Sequence, residues 1–474
     1  MKSSPGRWRL ATAAIAATIP LAAAQSQAEP VTAELQQRIE ELSQKLLVLE
    51  RKLELQDETA QAATKSTPVV KASPKGFSIQ SADSQNVVKL RGTLHFDGRR
   101  FTDDVTTETA DTWLLRRVRP TLEGTLGGIY DFRFTPDCAG GRTIILDAFA
   151  TARLQPWAAV TAGKFKVPVG LERLQSANDI RFIERGFPTG LLPNRDLGVS
   201  LAGDLFGGVA SYSLGYYNGV TDGGSSDAIG DVDTDTAGDY AARIWLNPFA
   251  DSDSFALRGL GFGIGSTYVD VSGSPVNTLL PSYRTPGQQT FFRYRTASTT
   301  LPAGATYADG ERLRWSPQFY YSFGRLGLLG EYAQVSQDVT RTTAAGTFSD
   351  TVDVSAWQLA AHYFLTGEEQ SFKGFKPNTT FSLANGTWGA FELVARYQEM
   401  EISDEAFTGG ADSFADPATS PNQASAYGIG VNWYLNENLK LALNYERTSF
   451  EGGAVGGADR DDEEVYLTRV AVGF

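Results

Sequence analysis

The sequence predicts an all-β protein: a transmembrane antiparallel β-barrel with one loop folded inward and a helix ahead of the barrel. Three observations carry that expectation. Apolar and polar residues alternate with a period of two from Phe77 to the last residue, Phe474. Tight turns such as Asn436–Asn438 alternate with long polar connections such as Ser403–Ser425. Tyrosines and tryptophans gather near segment ends, among them Trp157, Tyr216, Tyr217, Trp245, Trp315, Trp357, Trp388 and Trp433. A soluble sandwich also alternates, burying one face and hydrating the other. A membrane barrel turns the apolar face to lipid and the polar face to a lumen. Segments of about ten residues match a tilted strand crossing the hydrocarbon layer. The turns match short periplasmic connections opposite longer outer loops, and the aromatic ends match interfacial anchors.

Composition agrees with strands. The 474 residues include 48 glycines, 27 phenylalanines and 18 tyrosines, at a mean hydropathy of −0.22. That balance suits half-buried strands and turns better than a helical core. Cys138 is the only cysteine, so it makes no internal disulfide and reads as structural or incidental. With 2 histidines a zinc site is not expected, and no metal or cofactor is implied. The net charge of −13 excludes a general polyanion-binding surface and gives no nucleic-acid pattern. The acids cluster in Asp231–Asp239 and Ala458–Glu464, whereas Lys89–Arg195 holds 16 Lys/Arg against 12 Asp/Glu, an excess of 4 cations. Local charge is what a pore feels.

In chain order, residues 1–24 read as an export signal: Lys2, Arg7 and Arg9 precede an apolar stretch from Leu10 to Ala24. Cleavage after Ala24 or Ala28 satisfies the small-residue rule equally. Beyond it no run of about 18–20 apolar residues exists, so no transmembrane helix is expected. Residues 25–57 hold a heptad seam of Leu35, Ile39, Leu42, Leu46, Leu49, Leu53 and Gln56, the spacing of a short coiled coil that zips subunits together. A solitary amphipathic helix is the alternative, and the leucines do not separate two, three or four strands. Residues 58–76, rich in Ala, Thr, Lys and Pro, read as a linker. Its lysines Lys65, Lys71 and Lys75 are either solvated or in contact with an anionic wall polymer.

Residues 77–474 form the barrel. In Lys89–Arg99, Leu90, Gly92, Leu94 and Phe96 face lipid, while Arg91, Thr93, His95 and Asp97 face the lumen. In Thr112–Leu126, Leu114, Val118, Pro120, Leu122 and Leu126 take the lipid face, with Arg116 at a rim. Arg117, Arg119, Thr121 and Glu123 lie opposite. The terminal VYLTRVAVGF ends as a strand, with Tyr466, Val470 and Phe474 outward and Arg469 inward. Such a strand must pair on both sides, which closes the barrel and removes its exposed edge.

Between two alternating segments, from Pro168 to Arg195, runs a connection well beyond the roughly 12–15 residues of an ordinary loop. It is apolar at Phe182, Ile183, Phe187, Leu191 and Leu192, and basic at Arg173, Arg181, Arg185 and Arg195. The reading is a segment folded inward to narrow a pore. Guanidinium groups offer forked donors that match phosphate oxygens and stay charged. The expected anion path is therefore Arg117, Arg119, Lys164 and Lys166 on the wall, with Arg173, Arg181 and Arg185 from the loop. Alternatively the loop arginines pair with Glu172, Asp179 and Glu184 and merely pin the loop.

The strand GKFKVPVGLERL (Gly163–Leu174), the loop's FIERGFP (Phe182–Pro188) and PNRDLGVSL (Pro193–Leu201) carry a family resemblance. The RRVRPTLEGTL strand and the terminal phenylalanine fit it too. On these residues the chain resembles the phosphate-selective porin O and P family of Gram-negative outer membranes. The resemblance implies a 16-stranded barrel, a homotrimer, a loop folded into each pore and basic residues lining an anion path. Some members carry a coiled coil before the barrel. Where the family places a lysine at the constriction, this loop reads QSANDI (Gln175–Ile180), with Asp179 and no lysine.

The resulting expectation is an outer-membrane porin, not an enzyme, that passes phosphate, polyphosphate or other small anions, with helix and linker in the periplasm. A weakly selective general porin is the alternative, as is an envelope tether whose coiled coil contacts peptidoglycan. Hydrolysis would need a histidine base beside a nucleophile. His95 lies near Asp97, yet no GxSxG elbow accompanies it.

Overall fold

The computed structural model describes residues 29–102, 111–226, 238–299, 301 and 304–474. The export signal and most of Asp231–Asp239 lie outside these residues. The chain divides into two units, Met1–Thr67 and Pro68–Phe474.

In the first unit, α1 (Glu29–Ser66) is one continuous helix. Leu35, Ile39, Leu42, Leu46, Leu49 and Leu53 are all more than half exposed along its seam. The helix continues past the expected boundary at residue 57. No Gly or Pro interrupts ETAQAATKS, and its alanines are strong helix formers. Beyond Pro68, Val69–Ser73 pairs with Gly76–Gln80 around a turn in which Gly76 has φ +98°. The stretch read as a linker is thus a helix end followed by a hairpin.

In the second unit, an 18-stranded sheet comprises that hairpin and sixteen barrel strands among the described residues. The first half of the wall is β1 (Val87–Phe101), β2 (Thr112–Leu126), β3 (Tyr130–Asp137), β4 (Ile144–Gln155), β5 (Ala158–Lys166), β6 (Arg195–Leu205), β7 (Ala210–Tyr217) and β8 (Asp239–Leu246). The second half is β9 (Leu260–Ser272), β10 (Thr306–Phe323), β11 (Leu326–Thr343), β12 (Gly346–Phe364), β13 (Ala390–Ile402), β14 (Pro421–Tyr434), β15 (Leu439–Gly452) and β16 (Glu463–Gly473). Neighbours pair antiparallel, and β16 closes on β1 from Val465↔Phe101 to Gly473↔Thr93. Phe474 extends the seam by exchanging both backbone bonds with Gly92, each 3.0 Å. Beyond it, Phe77–Gln80 of the hairpin covers the part of β1 that β16 does not reach.

The two faces separate as the alternation predicts. On β1, Leu90, Leu94 and Phe96 are exposed on the outside, while His95 and Asp97 are buried inside. Outward rings form a ladder around the second half of the wall: Trp315–Tyr332 at 5.2 Å, Trp357–Tyr397 at 5.3 Å and Tyr445–Tyr466 at 5.2 Å. Two of the expected interfacial anchors instead turn inward: Trp245 is buried and stacks on Tyr320, and Tyr217 packs on Phe165.

The period also breaks on β2. His95 pairs with Arg117 and Phe96 with Leu115, so Arg116 is the extra residue of a β-bulge. The bulge reverses the pattern on one side: Trp113 and Leu115 face outward, and Leu114 does not. Arg116 is therefore no rim residue; it enters the interior beside Arg117.

Val169, Phe187, Leu191 and Leu192 of the inward loop pack against Val335, Val339, Val352, Val354 and Met400 of the long strands.

Candidate functional site: a basic passage beside the inward loop

After Lys166 the chain turns into the bore, and its base is pinched where the Val167 N–H donates to the Asn194 carbonyl at 3.0 Å. Two short helical turns, Leu171–Leu174 and Phe187–Leu191, give the loop its own shape. Gly170 and Gly186 precede them because the loop backbone runs too close to its surroundings for a side chain. A Cβ on Gly186 would strike the Gln358 side chain, and one on Gly170 would strike Leu192.

Most loop anchors lie on the wall from β11 round to β2. Glu331 accepts from the backbone N–H groups of Leu171 (2.7 Å) and Glu172 (3.3 Å). Gln398 accepts from Phe187 N–H at 2.8 Å, and Asn444 from Ile183 N–H at 2.8 Å. The carbonyls are met as well: Asn432 donates to Arg181 (2.9 Å), Arg396 to Glu184 (3.1 Å), Arg469 to Ile183 (2.7 Å) and Lys440 to Ile180 (2.9 Å). A loop inside a barrel must find partners for its buried backbone, and wall side chains supply many of them here.

Among the described residues no acid of the loop lies within ion-pair distance of a loop arginine, and Glu184 pairs instead with the wall. Arg116 grips Glu184 with two bonds of 2.6 and 3.1 Å, and Arg99 adds a third at 3.4 Å. Burial alone would raise the Glu184 carboxyl; the Arg116 guanidinium outweighs it and holds the group well below the usual carboxylate range. Glu172 accepts from Gln358 (2.9 Å), Gly186 N–H (2.9 Å) and Thr189 (3.3 Å).

The three loop arginines consequently differ. Arg181 is buried, paired with Glu392 at 3.2 Å and bonded to the Ser371 carbonyl at 3.0 Å. It pins the loop. Arg173 and Arg185 are half-buried and donate only to carbonyls: Arg173 to Thr189 and Leu192, Arg185 to Glu172 and Gln175. Lys166 does likewise, reaching Gln175 at 2.8 Å and Leu174 at 3.3 Å. Among the described residues no carboxylate lies within ion-pair distance of these three cations.

The opposite side of the loop faces the β2–β6 wall across open space. A cavity of about 1110 Å³ opens at the end with the short turns, and one of about 590 Å³ at the end with the long loops. Their linings share Arg119, Lys166, Ala177 and Arg195, which marks the neck between them. Arg116, Arg117, Arg173 and Arg185 line the outer cavity just beyond the neck. Arg119 is paired with Asp137 at 2.7 Å and Arg195 with Asp147 at 2.8 Å. At and just beyond the neck, Arg116, Arg119 and Arg195 are paired with Glu184, Asp137 and Asp147; farther along the outer lining, Asp222 is held by Arg314.

Of the expected path residues, Arg117, Arg119, Lys166, Arg173 and Arg185 come together here. Lys164 does not: it lines neither cavity, and its ammonium donates to the Ser226 carbonyl. The sequence pattern places Arg116 at a rim, outside the anion path, and Arg195 only as a loop charge. The doubled arginine at 116–117, inside an alternating strand, was the readable sign of a bulge. The His95–Asp97 proximity forms no dyad. Asp97 receives two 2.7 Å bonds from Arg469, while His95 meets Asn178 at 3.0 Å and Arg117 at 3.1 Å.

This geometry is matched by relatedness. The family model for phosphate-selective porin O and P matches residues 88–457, most of the barrel. The chain belongs to that family. It is an outer-membrane porin. Porin O of Pseudomonas aeruginosa is 31% identical over 122 residues, covering 25% of this chain and 26% of that protein. A Caulobacter vibrioides protein is 23% identical over 360 residues, covering 73% of this porin and 65% of its relative. The porin therefore spans about a quarter of the first relative and just under two thirds of the second. Among solved structures, a loop-deletion form of OmpT from Vibrio cholerae aligns with a TM-score of 0.50 at 11% identity, covering 82% of this porin and 100% of that chain. That likeness concerns the fold.

Proposed function

We propose that this porin conducts small anions, with phosphate and related oxyanions favoured, through the passage between the inward loop and the β2–β6 wall. The observation that carries the reading is the neck, where Lys166 and the adjacent Arg173 and Arg185 donate to backbone carbonyls and have no described carboxylate within ion-pair distance. Family membership supports it. Charged rings of one sign set selectivity when the passage stays hydrated and each site binds moderately. Guanidinium forks match tetrahedral oxyanions, and ammonium adds an undirected charge. Planar-bilayer reversal potentials in a KCl gradient test it: chloride should be preferred, and phosphate should block chloride current more than sulfate. Cation preference would overturn the reading.

A weakly selective passage is the second reading, favoured by the three carboxylates that offset Arg116, Arg119 and Arg195. Equal block by phosphate and sulfate would support it. For α1 we propose a coiled coil in the periplasm that joins copies of the chain, a homotrimer being the expected assembly. The seam of apolar residues, each more than half exposed, supports this. Mass measurement of the detergent-purified porin with and without residues 25–66 tests the assembly, and pull-down on peptidoglycan tests a tether.

A further inference from the structure

The outer face of the wall from β11 to β15 is not evenly apolar. One cross-strand row on that face reads Leu328, Ala361, Ala395, Ile429 and Tyr445. The next row toward the short turns holds Tyr363 opposite Leu393, and the next toward the long loops holds Leu359 opposite Tyr397. Two alanines side by side among large residues leave a depression of about 510 Å³, lined also by Leu326, Tyr363, Leu393 and Ile429. That volume falls in the range of small-ligand pockets, roughly 300–1,000 Å³.

The depression reaches the short-turn rim, where Leu326 directly follows the turn at 324–325. Two connections lean on the outer face there and edge it with rings. In 247–259, between β8 and β9, Phe255 packs at 5.3 Å on the outward Phe323, which pairs with Leu326. Arg258 stands over the Phe255 ring at 5.7 Å. In 365–389, between β12 and β13, Phe381 packs at 5.5 Å on the outward Trp433, whose indole N–H donates to the Trp388 carbonyl at 2.6 Å. Phe391, stacked on Trp433, lies two residues before Leu393 of the lining. The rim carries both signs of charge: Arg258 and Arg325 are exposed and not ion-paired among the described residues, and Asp251, Asp253 and Glu369 are exposed as well.

We propose that this depression binds one phospholipid of the periplasmic leaflet, with an acyl chain over the alanine pair and a zwitterionic phosphate–ammonium headgroup at the rim. Guanidinium forks match the phosphate oxygens, and the exposed carboxylates match the ammonium. Rings at this level meet headgroups, as interfacial aromatics do. The alanines let one chain sink between the flanking side chains, where a wall of uniformly large residues would only be brushed by passing lipid.

The test is native mass spectrometry of the full-length porin, purified in mild detergent and titrated with phosphatidylethanolamine or, separately, phosphatidylglycerol. Wild-type should keep one phosphatidylethanolamine per chain under activation that strips other lipid, and should lose phosphatidylglycerol severalfold more readily. A361F/A395F, which fills the depression with rings, should lose the retained lipid. R258Q/R325Q should lower retention severalfold, whereas R258K/R325K should keep most of it; a heat-modifiable gel shift confirms the folded barrel in each variant. Retention unchanged in A361F/A395F would overturn the site, and equal retention of the two lipids would overturn the zwitterionic headgroup. Fewer chains per particle in A361F/A395F would assign the depression to a contact between copies and overturn the lipid.

Discussion

Three arginines on one loop, within thirteen positions, have two kinds of surroundings, and surroundings decide what each does. Arg181 is buried against Glu392, and removing one member of such a pair leaves a buried charge, at a cost of about 3–5 kcal/mol. Arg181→Met should therefore loosen the loop, seen as larger and noisier single-channel conductance, with little effect specific to anions. Arg185 touches only carbonyls and faces the passage. Arg185→Gln should leave loop and conductance state intact and move the reversal potential toward the cation side; an unmoved potential would assign Arg185 a packing role. At Gly186 the constraint is steric, since the Gln358 side chain occupies the place of a Cβ. Gly186→Val should push the loop from the β12–β13 wall and enlarge the pore, measured by exclusion of uncharged polymers.

At the scale of the element, the inward loop is a segment whose backbone is bonded to one wall so that its other side can face water. Glu184 joins it to the bulged strand β2. Because its folded-state pKa is depressed, the stabilisation is fully present above the ordinary carboxylate range and is lost only as pH falls through the depressed folded value. Conductance should thus stay steady from pH 7 down to about pH 4, the ordinary carboxylate value. Glu184→Gln, which cannot charge, should show the loosened state already at pH 7. Conductance that rises across pH 6 to 4 in wild-type would show that another group holds the loop. The bulge itself matters here: had β2 kept strict alternation, Arg116 would point to lipid and Glu184 would be left without its strongest partner.

For the whole molecule, closure is the condition on which everything else rests. The seam ends where Phe474 exchanges two bonds with Gly92, and its ring lies against that glycine. Gly92→Leu, or loss of Phe474, should lower the temperature at which the barrel loses its compact gel mobility, whereas Phe474→Tyr should be tolerated. That the chain forms barrel strands was readable because lipid outside and water inside impose a period of two on them, whereas their number came only from the family resemblance. The inward loop was readable because a long, apolar, charged connection has no stable place outside. By contrast, Lys164 and Lys166 are indistinguishable in the alternating pattern, yet one meets the Ser226 carbonyl and the other the neck. Trp245 likewise matches an interfacial anchor in sequence and lies inside.

The sequence by itself determined that this chain is a lipid-facing barrel with a basic inward segment, since period, turn length and composition are local properties written along the chain. Only the tertiary structure decided which cations face open water and which are consumed as anchors. That outcome depends on partners far away in sequence, such as Glu392 for Arg181 and Arg116 for Glu184. Charge is a property of a residue, but free charge is a property of the residue together with everything packed around it.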